Sequence, residues 1–227
     1  MELVKRAVIF FGITIGAIII TYFVAFDQVD KKPLPIFSPK DVNPELVDSS
    51  LHNRGIGIQG GYHTISSFNL LDQLGRSVDK TLLKNKIVVA DFFFVSCGSI
   101  CPIMTNNLEK VHQFYQKNEK ILILSHTVWP EMDSVSVLFD YAENHNANHD
   151  TWRFLTGDKK ELYRLARNDY LVVPDVNDPN YQHGGEADFI HTENVVLVDQ
   201  LQRIRGYYDG TSEEDIKRLI NDIARLL

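Results

Sequence analysis

A chain of 227 residues with a formal charge of −7 and dispersed basic residues can build one globular domain plus extensions, but it lacks the electrostatic footprint of a protein that grips a phosphate backbone. Nucleic acid is excluded as a partner on that ground.

Residues 7–26, AVIFFGITIGAIIITYFVAF, run for twenty positions without a charge, about the length a helix needs to cross the hydrocarbon of a bilayer. Lys5 and Arg6 precede the run, so the positive-inside bias keeps residues 1–6 cytoplasmic and exports everything after Phe26. A cleaved signal peptide is the competing reading. The run is longer than an ordinary signal core and no small-x-small cleavage site follows, which favours an uncleaved single-pass anchor in the cell (inner) membrane. Residues 27–61 are rich in Pro, Gly and polar side chains without a sustained period and read as a tether; whether LPIF around Ile36 docks on the domain is left open. A folded domain is expected over 62–227.

Within that domain, alternation around Asp72-Gln-Leu-Gly75 predicts a hairpin ending near Val78. KIVVADFFFV, Lys86 to Val95, is a continuous apolar run expected of a strand buried on both faces. Met104, Leu108, Val111 and Tyr115 then recur at helical spacing, with Ser99 and Pro102 marking the helix start. KILILSH, Lys120 to His126, supplies a second buried strand, so strand, helix and strand form a right-handed crossover. A helix after Pro130, a short strand from Trp152, a helix over 158–168 and a hairpin turning at 199–202 follow. Ser212 with Asp215 gives a capping-box-like start to the last helix. This order predicts an α/β fold: a thioredoxin-like mixed sheet flanked by helices, preceded by a transmembrane helix. The loop leaving the first parallel strand would lie where open α/β sheets bind ligands, and it carries Cys97 and Cys101.

Those cysteines admit three readings. A structural disulfide would close so short a loop that the chain-entropy gain is small. A redox pair would profit from the helix N-terminus, which lowers a thiol pKa, yet the spacing is Cys-x-x-x-Cys instead of Cys-x-x-Cys. Cβ atoms four apart on a helix lie roughly 5–6 Å apart, against about 3.5–4.5 Å in a relaxed bridge, so a bridge needs Cys97 in the loop. Two thiolates on one ion suit the wider spacing, because metal–sulfur bonds of about 2.3 Å hold the sulfurs further apart than a bond of about 2.05 Å. Soft thiolates favour Cu(I), and a nitrogen ligand would complete a site able also to hold Cu(II). A structural zinc would want more cysteines than the chain has.

Of eight histidines, His52, His63, His112, His126, His145 and His149 read as structural or solvated, with His112 expected at the surface and His145 and His149 in a solvated loop. His183 and His191 stand apart, since both lie in a long turn-rich insertion and His191 falls just before a strand.

DFFFVSCGSICPIMTNNLEKV resembles the SCO/SenC family of copper-site assembly proteins. The likeness runs from about Ile65 to the C-terminus and includes WRFLTG, FIHTENVVLVD and RIRGYYDGT. It implies that Cys97, Cys101 and His191 are copper ligands. It also implies a thioredoxin-like domain outside the membrane that delivers copper to the dinuclear copper site of cytochrome c oxidase subunit II, or reduces the cysteines of that site. Two positions depart from the family pattern: Trp129 stands where Asp is common, in Val128-Trp129-Pro130, and Ile190 stands where Asp often precedes the ligand histidine. The alternatives are a thiol–disulfide oxidoreductase, with Cys97 and Cys101 as its redox-active pair, and a binding module with inert cysteines.

Overall fold

The computed structural model describes residues 6, 10–12, 14–17, 33–42, 58–59, 61–172, 190 and 192–227. Two compact units are distinguished, Met1–Leu34 and Pro35–Leu227. In the first, residues 10–12 and 14–17 of the expected anchor are helical, and Thr14 Oγ1 donates to the Phe10 carbonyl at 2.8 Å. The remainder of 7–26 lies outside the described residues. Among the described residues no helix is long and apolar enough to cross a membrane.

The second unit is organised around β5 (Ile87–Phe93), whose seven residues are all buried. Successive strand side chains face opposite sides, so such a strand must be covered twice. Val88, Ala90 and Phe92 enter a core shared with Leu122, Leu124, Leu155, Leu162 and Tyr163. Phe93, of the other parity, stacks on Tyr141 and meets Phe154 edge-on. The seven-stranded sheet has the order β4-β3-β7-β6-β5-β8-β9. Its remaining strands are β3 (Asn69–Asp72), β4 (Ser77–Asp79), β6 (Ile121–Thr127), β7 (Trp152–Thr156), β8 (Asn194–Val198) and β9 (Ile204–Asp209). A separate two-stranded ladder, β1 (Ile58–Gln59) with β2 (Tyr62–His63), precedes them.

β5, β6 and β7 are parallel neighbours. Their connections run through α1 (Ile100–Tyr115) and α2 (Val135–Asn144), and both step the same way across the sheet. Right-handed crossovers in one direction place both helices on one face, and the Thr105 and Tyr141 hydroxyls meet there at 2.9 Å. After β7 the chain returns to the far side of β5, so α3 (Lys159–Arg164) covers the opposite face through Leu162 and Tyr163. The last helix, α4 (Glu213–Leu226), joins α1: Tyr115 OH donates to the Ile220 carbonyl at 2.7 Å.

Several local expectations are refined. The helix expected over 158–168 is α-helical only to Arg164 and continues as a π-helical turn, Leu165–Asp169. Ser212 caps α4 by accepting from the Asp215 amide, but the Asp215 carboxylate accepts from the Asp209 amide at 2.8 Å, so the reciprocal half of a capping box is not made. His112 is not at the surface: it is buried under Trp152, with Nε2 3.2 Å from Thr151 Oγ1, and burial lowers its pKa. His145 and His149 are only partly solvated, pairing with Glu109 and Glu143.

The question left open at LPIF is answered by the last hairpin. Phe37 donates its amide to the Ile204 carbonyl at 2.9 Å and sets its ring edge-on to Tyr207, 5.3 Å between centroids. Arg205 Nε donates to the Pro35 carbonyl at 2.8 Å while its Nη1 holds Asp199 at 2.9 Å. The outer edge of β9 is thereby covered by the chain's own upstream segment, which protects an otherwise open ladder.

Candidate metal centre

The C-terminal ends of β5 and β6 open into two adjacent loops. Val128 donates its amide to the Phe93 carbonyl at 2.8 Å, the last tie of the parallel pair, and the loops then diverge as 94–99 and 128–134. Cys97 sits in the first loop, its amide 3.2 Å from the Phe94 carbonyl. Cys101 is the second residue of α1. Loop and helix thus hold one cysteine each, the arrangement that a Cys-x-x-x-Cys pair needs in order to converge. Both thiols are free and buried, under exposed Ser96, Gly98, Pro102 and Ile103.

Ser99 precedes the helix but makes no side-chain cap; its hydroxyl lies 3.6 Å from the Cys97 sulfur. Burial pushes the Cys97 thiol up. Hydrogen bonds from the Cys101 thiol, the Ser99 and Cys101 amides and the Ser99 hydroxyl outweigh it and bring the pKa down to about 6. Two of these donors are amides of a helix start, which have no carbonyl partner within the helix. Cys101 goes the other way: burial, its hydrogen bond to Cys97 and that neighbour's charge push it up to about 12. One thiolate is ready at neutral pH, and the second proton must be displaced. A soft cation is able to do this, since metal binding releases ligand protons.

Beneath the sulfurs lies a carboxylate that sequence reasoning left unassigned. Asp91 occurs in the middle of the apolar run of β5, a signal in itself, because an isolated acid in a doubly buried strand needs a reason. Burial raises its pKa to about 7, against a hydrogen bond from Ser125, and its charge contributes to the upward shift of Cys101. Asp91 Oδ1 finds no partner among the described residues.

His191 and His183 lie outside the described residues, and with them the trio of Cys97, Cys101 and His191; among the described residues no three His, Cys, Asp or Glu side chains converge as a metal site. The residues flanking position 191 are described. Ile190 is buried in the core with Phe92 and Val128, its amide 3.4 Å from Tyr163 OH, and Tyr163 OH donates to the Val128 carbonyl at 3.0 Å. Thr192 Oγ1 donates to the Val172 carbonyl at 3.3 Å. Ile190 therefore lies at the same end of the sheet as the cysteine loop. The departure from Asp at 190 also gains a reason, since a carboxylate among these apolar groups would be costly. Trp129, at the other departure, packs edge-on to Phe94 with 6.0 Å between ring centroids.

With a thiol pair at the loop–helix junction of a mixed sheet, comparison with known proteins becomes decisive, and the family model described as SCO1/SenC matches residues 57–227. The chain belongs to the SCO1/SenC family. Among its SCO relatives, the SCO1 protein homolog of Bacillus subtilis (strain 168) is 28% identical over 163 residues, 71% of this chain and 81% of that protein. The SCO2-like protein RP587 of Rickettsia prowazekii (strain Madrid E) is 26% identical, covering 68% of this chain and 74% of its own. The fold matches BsSco, a member of the Sco family of cytochrome c oxidase assembly proteins in which a disulfide switch has been identified, with TM-score 0.60 and 27% identity over 72% of this chain and 92% of that one. It also matches the fold of Bradyrhizobium japonicum ScoI with copper bound, with TM-score 0.57 and 23% identity over 72% and 99% of the two chains. The thioredoxin-like mixed sheet expected from the element order is thus the Sco fold.

Proposed function

We propose that this SCO1/SenC protein is a membrane-anchored copper-binding assembly factor that carries copper to a cytochrome c oxidase, with the dinuclear copper site of subunit II as acceptor. Residues 7–26 form the anchor and the domain works on the extracytoplasmic side, with the tether of 27–61 shortened by the docking of residues 35–42. The observation that carries this reading is the pair of free thiols at the start of α1, one of them already biased to thiolate by helix amides. Copper is the cargo, and the donor set fits it: two soft sulfurs suit Cu(I), and an imidazole extends the range to Cu(II). His191 is the proposed third ligand. Support comes from the anchoring of Ile190 and Thr192 on either side of it and from the location of Ile190 at the cysteine end of the sheet.

Anaerobic titration of the reduced full-length chain with Cu(I) tests the reading. One ion per chain is expected, with Cys97→Ser and Cys101→Ser each weakening binding by about 100-fold or more and His191→Ala by about 10- to 100-fold. Serine variants that bind like wild type would overturn it.

The inequality of the thiols supports a second role, reduction of the acceptor's cysteines. The Cys97 thiolate would attack a partner disulfide, releasing one partner thiolate and forming a mixed disulfide. Cys101, once deprotonated, would then attack Cys97, releasing the second partner thiol and leaving the Cys97–Cys101 disulfide, a two-electron transfer. A Cys101→Ser variant should then trap the mixed disulfide, whereas a chaperone without reductase activity traps none.

A further inference from the structure

The geometry points to Asp133 as a positioning residue for the copper-binding loop: one buried carboxylate oxygen clamps the backbone two residues before Cys97 to the loop that follows β6. The inference deepens the copper reading and rests on it for its affinity readout.

Cys101 is fixed by helix α1, but Cys97 hangs on the segment 94–99, which has left the sheet. That segment is tied back to the neighbouring loop at Val95, whose amide donates to Asp133 Oδ2 at 3.2 Å. The same oxygen accepts a hydrogen bond from the Thr127 hydroxyl. Thr127 Oγ1 accepts from the Trp129 amide at 2.9 Å, and the Asp133 amide donates to the Trp129 carbonyl at 2.9 Å. Asp133 is therefore held within its own loop and reaches across to the other. It is buried at 2% exposure, and its hydrogen-bonding partners among the described residues include no cation. A buried carboxylate is costly to keep unless its hydrogen bonds specify something. Here they specify the path of the chain into Cys97, and with it the separation of the two sulfurs.

Because only an acceptor oxygen is needed, Asn should serve where Ala cannot. In the reduced full-length chain, Asp133→Ala is expected to weaken Cu(I) affinity by about 10- to 100-fold, the usual cost of losing an outer-shell partner. It should also speed alkylation of Cys97 several-fold as the loop loosens. Asp133→Asn should stay within about twofold of wild type on both. A role confined to stability would lower the melting temperature of the Ala variant and leave both readouts unchanged, which overturns the proposal, as does an Asn variant that falls as far as Ala. If the wild-type chain binds no Cu(I), the copper reading fails, while the alkylation ratio still decides the clamp. If the Ala variant does not fold, amide hydrogen exchange on the wild type decides: Val95 is expected to exchange at least about 100-fold more slowly than Ser96, and equal rates would refute the clamp.

Discussion

At the scale of single residues, the two thiols differ because they sit on different backbone. Cys97 lies in a loop where helix amides reach it, and Cys101 is enclosed by the helix itself. An alkylating agent should therefore label Cys97 with a rate that is half-maximal near pH 6 and leave Cys101 unmodified up to pH 9. A mass-spectrometric time course reads both sites, and a shared midpoint near the ordinary thiol value of 9.0 would contradict the asymmetry. His126 and Asp91 form a second contrast. Burial lowers His126 from 6.5 to about 4, so the stability it contributes is present above 6.5 and is lost as pH falls toward 4. Burial raises Asp91 from 3.8 to about 7, so its contribution is full below 3.8 and is lost as pH rises toward 7. The two oppose each other over an overlapping range. His126→Phe, which keeps the stack on Phe92, should gain on wild type by about 3 kcal/mol on going from pH 7 to 4, and Asp91→Asn should gain by about 3 kcal/mol in the opposite direction. Urea midpoints across that range check both, and profiles parallel to wild type would refute them. The cysteine pair and the structural role of His126 were legible in the sequence, because spacing and an apolar context suffice for them. Asp91 and Asp133 were not read as functional. A carboxylate in a strand or loop acquires meaning only when the fold shows which amide or thiol it faces.

At the scale of elements, the strands and helices of the domain were legible wherever periodicity and burial coincide, as in β5, α1, β6 and the last hairpin. The misses have physical causes. The π-helical turn after Arg164 shares the apolar spacing of a helix end, and tertiary ties such as the Ser66 amide on Asp169 Oδ1 at 2.6 Å set its hydrogen-bonding pattern. The strap at Phe37 has no period at all, because one backbone bridge, one ring and the Arg205 hydrogen bond to the Pro35 carbonyl carry it. Phe37→Ala should destabilise the domain by about 1–2 kcal/mol, lowering its melting temperature by about 3–6 °C without changing copper binding. An unchanged melting temperature would show that the strap contributes nothing. Gly210 is a further element-level constraint. A Cβ there would stand 2.9 Å from Val195 Cγ2 and 3.1 Å from the Glu193 carbonyl, and Gly210 accepts Asn107 Nδ2 from α1 at 2.9 Å. Gly210→Ala is expected to cost about 1–3 kcal/mol by forcing α1 and the sheet apart; thermal unfolding measures it.

At the scale of the whole molecule, the proposed arrangement is a carrier held at a membrane, with its sulfur site at the C-terminal end of β5. Asp199 contributes to that rigidity: burial pushes its pKa up, but hydrogen bonds from Arg203 and Arg205 outweigh this and hold it low, locking the last hairpin onto the Pro35 strap. In the proposed site one ion takes three ligands from two distant stretches of chain. X-ray absorption at the copper edge of the loaded full-length protein tests it most directly. Two sulfur neighbours and one imidazole are expected in the wild type, with the imidazole scattering lost in His191→Ala. A spectrum with a single sulfur, or one that His191→Ala leaves unchanged, would contradict it.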